Sequence, residues 1–329
     1  KQGCQRGSMK ITKIFFPVII FAFIILLLCS PARYMAVALD GVLVWATILL
    51  PSLFPFIFFS RLFTTFEVTQ NLSKPFSRIT QKLYNCPSDS AYVFLLSVLC
   101  GYPIGAKLIT DLYLDGKISK GQAYRSVSFV SNCGPMFIIG SVGVGMLHSP
   151  KAGIIILICH ILGSILNGLI YRKSWKNFDC ERLPAAAQKN AQTSISDIVF
   201  SSINSVLMVG GYVVIFFIVA EVFTSLKIFS PLCLLLKKIG INPQISEGIL
   251  CGLLEITKGS KMLSIASPNL RITIPACCFL ITFGGFSTFM QSYTFLEKTG
   301  MKKSALLIQK TTQALIATVL CVVVSLIMF

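Results

Sequence analysis

The chain has 329 residues, 54% of them hydrophobic and only 12% charged, with a mean hydropathy of +0.78. That apolar content exceeds what one soluble core can hide and predicts a polytopic all-α membrane protein. The formal charge of +17 does not point to nucleic acid, because the basic residues gather in alternate connections between apolar runs, the positive-inside pattern of a membrane protein.

A helix needs about 20 residues to cross the hydrocarbon layer. Residues 1–8, KQGCQRGS, read as an expression remnant ahead of Met9. The run at 14–29 predicts a retained transmembrane helix within 9–30, since Leu28 is too large for a cleavage pattern. Further spans are predicted at 35–63, 129–146, 154–171, 198–223, 272–294 and 305–329, with two shorter, interrupted segments at 91–114 and 244–265. Lys74, Arg78 and Lys82, then Lys117, Lys120 and Arg125, then Arg172, Lys173, Lys176, Arg182 and Lys189, and finally Lys298, Lys302 and Lys303 mark the inner side. They place the N-terminus in the cytosol and the C-terminus outside, with Lys227, Lys237 and Lys238 on the opposite side. Leu72, Phe76, Ile79 and Leu83 recur at helical spacing with Lys74, Arg78 and Lys82 on another face, predicting a helix lying on the anionic inner leaflet. The stretch 232–239 is its expected counterpart.

The interrupted segments align without gaps: SVLCGYPIGAKLI from Ser97 lies over CGLLEITKGSKML from Cys251, so that Gly105 matches Gly259 and Lys107 matches Lys261. About 25 residues with Gly or Pro at the centre are too long for one straight span and too short for two. They predict re-entrant hairpins, with Gly101, Gly105 and Pro103 shaping the first turn, and such a turn must face protein or water rather than lipid. Each is followed by a helix with an internal break, Ser131-Asn132-Cys133-Gly134-Pro135 and Gly284-Gly285-Phe286-Ser287-Thr288. Three spans plus one returning hairpin per half give two inverted repeats, 36–172 and 197–329, joined by a cytosolic linker at 173–196.

At the hairpin tips, helix N-termini favour an anion. Gly101, Tyr102, Pro103 and Gly105 form the first tip and Glu255, Thr257, Lys258 and Gly259 the second, with Lys107 and Lys261 as added positive charges. The alternative is that both lysines snorkel to an interface or pair with Asp111 and Glu255. Glu255 is suited to a hydroxylated or cationic substrate group, a coupling Na+, or a proton; the alternative is a Glu255–Lys pair that holds the hairpin shut. The breaks free carbonyls for sodium or substrate, with Asn132, Gly134, Ser287 and Gln291 beside them, unless they are kinks for packing alone. Twelve cysteines are scattered without a CxxC pair, which reads as buried reduced thiols. Gly140 to Gly145 follows no strand and reads as tight helix packing. His148 and His160 lack a carboxylate or cysteine at useful spacing, and Asn71-Leu72-Ser73 is a sequon on the predicted inner side. No enzyme signature and no cofactor or metal motif emerge; the expected partners are a small anionic substrate, the bilayer and further copies of the chain.

GYPIGAKLITDLYLDGKIS, SNCGPMFIIGSVGVGML, GLLEITKGSKML and FGGFSTFMQSYTFL together resemble the YlbJ type of sporulation integral membrane protein, within the nucleoside-recognition or Gate superfamily, from about Met9 onward. The resemblance implies kinship with concentrative nucleoside transporters and a role in spore formation, moving dipicolinate, a small aromatic dianion, across the outer forespore membrane. The matching site positions are 101–107, Asn132, 255–261 and Ser287. The pattern departs at Lys258-Gly259-Ser260, where Asn-Gly-Cys is expected, and at Ser131-Asn132-Cys133, where Asn-Asn-Ala is expected. The implied function is an elevator or alternating-access carrier for a small organic anion in the bacterial inner or outer forespore membrane. A nucleoside or nucleobase carrier and a non-transporting scaffold for sporulation are the alternatives.

Overall fold

The computed structural model describes residues 17–18, 20–65, 77–181, 194–238, 240–267 and 269–329, and its regular elements there are all helices. Residues 1–8, the sequon at 71–73, Leu72, Lys74 and Phe76 of the expected surface helix, and 182–193 of the linker lie outside these.

The chain begins with α1 (Ile20–Cys29). Then α2 (Pro31–Val44) passes through a π-helical turn, Trp45–Leu49, into α3 (Leu50–Thr65). The short α4 (Ser77–Tyr84) leads to a helix–turn–helix pair, α5 (Asp89–Cys100) and α6 (Ile104–Leu114). An interrupted helix follows, α7 (Lys120–Val130) and the π-helical α8 (Met136–Met146), and then the long α9 (Pro150–Tyr171). The second half runs in the same order: long α10 (Ile195–Ser225), short α11 (Ser230–Lys238), the pair α12 (Pro243–Leu254) and α13 (Ile256–Ala266), the interrupted α14 (Leu270–Phe283) and α15 (Gly285–Leu296), and long α16 (Lys303–Met328).

Among the described residues, five helical stretches are long and apolar enough to cross a membrane: Pro31–Leu49, Pro150–Tyr171, Ile195–Ser225, Leu270–Thr299 and Lys303–Met328. The span expected at 129–146 is not one helix. Ser119 and Gln122 form a reciprocal capping box that starts α7 at Lys120, and residues 131–134 are non-helical. Lys120 and Arg125 therefore lie on a helix, not in a loop.

Lipid tails are as apolar as leucine, so helices in a membrane associate through close packing, which small residues permit. A Cβ on Gly163 of α9 would come within 2.7 Å of Ala317 on α16, and one on Gly143 of α8 within 2.8 Å of Gly153 on α9. The glycines at 140–145 thus include a packing contact. In the other layer, Gly210 of α10 receives the Trp45 ring, whose Nε1–H donates to the Val206 carbonyl at 3.0 Å. One apolar core joins α8, α9, α14 and α16 around Ile138, Ile156, Ile274 and Ile281; a second joins the α5–α6 pair and α7 to α15 around Ile109, Val127 and Leu296.

At one end of α7, the buried Arg125 donates to the Ser174 carbonyl at 3.1 Å, the Asn85 carbonyl at 3.1 Å and the Asp179 carboxylate at 2.8 Å. One side chain thereby ties the connection before α5 to the one after α9. Arg125→Ala is expected to lower stability by about 2–3 kcal/mol, because three acceptors lose a charged donor at once. Lys117→Ala is the control, since Lys117 and Asp115 are both 56% exposed and such a pair contributes about 0–1 kcal/mol. Thermal unfolding of the purified variants measures both.

Candidate functional site

Each turn is shaped by local backbone demands. Gly101 ends α5 at φ 79°, and the N-terminal turn of α6 starts after Pro103. In the second pair, Glu255 ends α12 in an extended conformation and caps α13. Each turn nests against the break that follows it. A Cβ on Gly101 would meet the Gly134 backbone nitrogen at 2.7 Å, and one on Gly285 would meet the Gly252 carbonyl at 3.0 Å.

The two turn-and-break units face one cavity of about 60 Å³, room for several waters. Gly101 and Tyr102 line it from the first turn, Cys133 and Gly134 from the first break, Glu255 and Thr257 from the second turn, and Ser287, Thr288 and Gln291 from α15. Leu49, Leu53, Val209 and Val213 close the side toward α2–α3 and α10. The lining is mainly apolar, with a few convergent polar groups, as small-molecule sites are.

Seven of the site residues expected from sequence line this cavity: Gly101, Tyr102, Gly134, Glu255, Thr257, Ser287 and Gln291. Glu255 is 2% exposed; one oxygen accepts from the Lys258 backbone N–H at 2.8 Å and the other from the Thr257 hydroxyl at 3.1 Å. The N-terminus of α13 thus carries its own carboxylate. Gln291 donates to the Ser287 hydroxyl at 3.2 Å, which orients the amide along α15.

The other seven do not line the cavity. Pro103 precedes α6 as its cap residue. Gly105 and Gly259 are approach points, where a Cβ would fall 1.9 Å from the Val130 carbonyl oxygen and 2.1 Å from the Gly252 Cα. Asn132 is fully engaged inside the protein, donating to the Ser97 hydroxyl and the Phe129 carbonyl, both at 2.9 Å. Lys258 reaches away to Glu221 of α10 at 2.8 Å, and Glu221 also holds Arg33 of α2 at 2.7 Å. Lys107 is half-buried among the charges of Arg61, Asp111 and Lys298, and Lys261 is exposed on α13. Neither lysine lines the cavity.

Behind Tyr102 lies a buried polar network that sequence reading missed. Lys310 of α16 donates to the Tyr102 hydroxyl at 2.6 Å, the Ser131 carbonyl at 2.9 Å and the Gln313 side-chain oxygen at 3.0 Å. Tyr102 in turn donates to the Thr282 carbonyl at 3.1 Å, joining the first turn to the end of α14. His160 of α9 accepts the Cys133 N–H on Nε2 at 3.0 Å. An N–H can only donate, so the ring proton sits on Nδ1, 2.9 Å from the Thr282 hydroxyl. His160 therefore bridges the first break and the end of α14. The signal for Lys310 was present in the sequence: an ionisable residue inside an apolar span is a functional candidate by default.

No group of three or more His, Cys, Asp or Glu able to hold a metal occurs among the described residues, and none of their cysteines is in a disulfide. No family model matches the chain and no solved structure matches it. The chain is similar to the sporulation integral membrane protein YlbJ of Bacillus subtilis (strain 168), 27% identical over 305 residues that cover 85% of this chain and 74% of that protein. That similarity runs along most of the sequence and supports the relationship to YlbJ-type sporulation membrane proteins read from the motifs.

Proposed function

We propose that this chain is a membrane carrier for a small organic anion, acting in sporulation by alternating access, with dipicolinate as its substrate. The α5–α6 and α12–α13 pairs are re-entrant hairpins whose turns meet near the bilayer midplane, and the two halves are inverted repeats, with the N-terminus cytosolic. The observation that carries this reading is a cavity at which both turns and both breaks converge, the kind of place where carriers built from discontinuous helices hold their substrates. Support for an anion comes from the buried Lys310 ammonium behind Tyr102 and from the Ser287 hydroxyl and the Gln291 amide in the cavity wall. The similarity to a sporulation membrane protein supports the setting.

The presence of Glu255 in the cavity wall favours a second reading, a nucleoside or nucleobase carrier, because a carboxylate accepts from sugar hydroxyls and base N–H groups. One panel separates the two. Purified protein is heated with dipicolinate, other dicarboxylates and nucleosides, since a ligand bound only by the folded state raises Tm by mass action. Flux of the stabilising compound is then measured in proteoliposomes. The anion reading expects a shift and flux with dipicolinate and none with nucleosides; the reverse result selects the second reading. No shift and no flux with any compound would leave a non-transporting scaffold.

A further inference from the structure

The sequence of α16 is apolar over most of its length, yet Lys310 sits inside the protein at 4% exposure, flanked on its own helix by Gln309 and Gln313. An ammonium ion has three N–H donors and no acceptor. Here three oxygens from three parts of the chain meet those donors: the Tyr102 hydroxyl from the first turn, the Ser131 carbonyl from the first break and the Gln313 amide oxygen from α16. The Tyr102 ring also faces the charge, 4.7 Å from Nζ to its centroid. Gln313 cannot turn its amide around freely, because its nitrogen donates to the Asn132 side-chain oxygen at 3.3 Å. None of the ion pairs among the described residues includes Lys310.

This is the coordination expected of a bound cation: neutral oxygens, one of them a carbonyl freed by unwinding a helix inside the membrane. In carriers with discontinuous helices, such carbonyls hold the coupling ion. We propose that Lys310 is a tethered cation, its ammonium filling an oxygen-lined ion site at the break between α7 and α8 in place of a diffusible ion. The cation is then carried by α16 itself, and it fastens the first turn to the first break. For transport the inference rests on the carrier reading, and its consequence is that flux requires no Na+ at this break.

The test measures Tm of the purified full-length protein at constant ionic strength in sodium, potassium or choline chloride. The wild type should unfold at the same temperature in all three. Lys310→Ala should be less stable and empty the oxygen cage, so that ammonium or methylammonium restores about half or more of the lost Tm with saturation, while the bulkier tetramethylammonium does not. Lys310→Met fills the same space without donors, and it should be destabilised and insensitive to every amine. The proposal is overturned if Lys310→Met matches the wild type, if no small cation rescues Lys310→Ala, or if sodium stabilises the wild type saturably over choline. Should Lys310→Ala not accumulate as folded protein, Lys310→Met and the sodium response of the wild type decide by the same criteria. Absence of flux in the wild type would sink the carrier reading alone, because the thermal measurements report occupancy of the cage without reference to transport.

Discussion

Gly259→Ala is expected to prevent α12 and α13 from closing on each other, and Gly259→Val to leave little folded protein. An added Cβ would lie 2.1 Å from the Gly252 Cα, 2.5 Å from its nitrogen and 2.8 Å from the Gly248 carbonyl oxygen. All three obstacles are backbone, so no side chain can rotate out of the way and a whole helix must shift. Overpacking of a tight core typically costs about 1–3 kcal/mol, and a backbone collision belongs at the upper end or beyond. Displacing α13 also pulls Glu255 and Thr257 from the cavity wall, so ligand response and stability should fall together. Gly211→Ala on α10 is the control. Nothing lies within 4 Å of its added Cβ, and alanine is favoured over glycine in a helix by about 1 kcal/mol. Yield of monodisperse protein and Tm measure both; a Gly259→Ala variant as stable as Gly211→Ala would show that the pair does not pack at this point.

Glu255→Ala is expected to reduce substrate flux by about tenfold or more, the loss that follows when a charged hydrogen-bonding group of about 1.5–3 kcal/mol is removed. Two effects act together. The cavity loses its carboxylate, and α13 loses the cap on its first turn, for which the usual cost is about 1 kcal/mol. Glu255→Gln separates them. It retains an acceptor oxygen for the Lys258 N–H and nearly the same volume, so Tm should stay close to that of the wild type, while the pH or cation dependence of flux changes. Flux with wild-type magnitude and pH dependence in both variants would remove Glu255 from the transport cycle and leave it as a cap.

The Arg33–Glu221–Lys258 chain bears on the same hairpin. Lys258 holds the first turn of α13 to α10, and Glu221 passes that hold on to α2. The second turn is thereby fixed on its outer side by ion pairs and on its cavity side by the Glu255 cap. The first turn is fixed differently, through Tyr102 to Lys310 and the end of α14. The two turns correspond in chain order, yet different chemistry secures each of them.

The sequence by itself determined where the helices stop. Gly101, Pro103, the Asn132–Pro135 stretch and Gly284-Gly285 act through backbone sterics and missing N–H groups, which are local and need no neighbours. The capping box at Ser119 was equally local, and it was overlooked because the apolar run begins later, at Phe129. The absence of Lys107 and Lys261 from the cavity wall was also legible in principle. Two residues along a helix turn it by about 200°, so once Gly105 and Gly259 face their partner backbones, each lysine two positions later faces away. What only the tertiary structure decided is which polar side chains meet. Asn132 is consumed by Ser97, Phe129 and Gln313, Lys258 by Glu221, and Lys310 finds Tyr102 and Ser131 about 200 residues earlier. Buried polar groups must be satisfied by whatever lies within about 3 Å, and in a bundle of crossing helices that neighbour is set by packing, not by spacing along the chain.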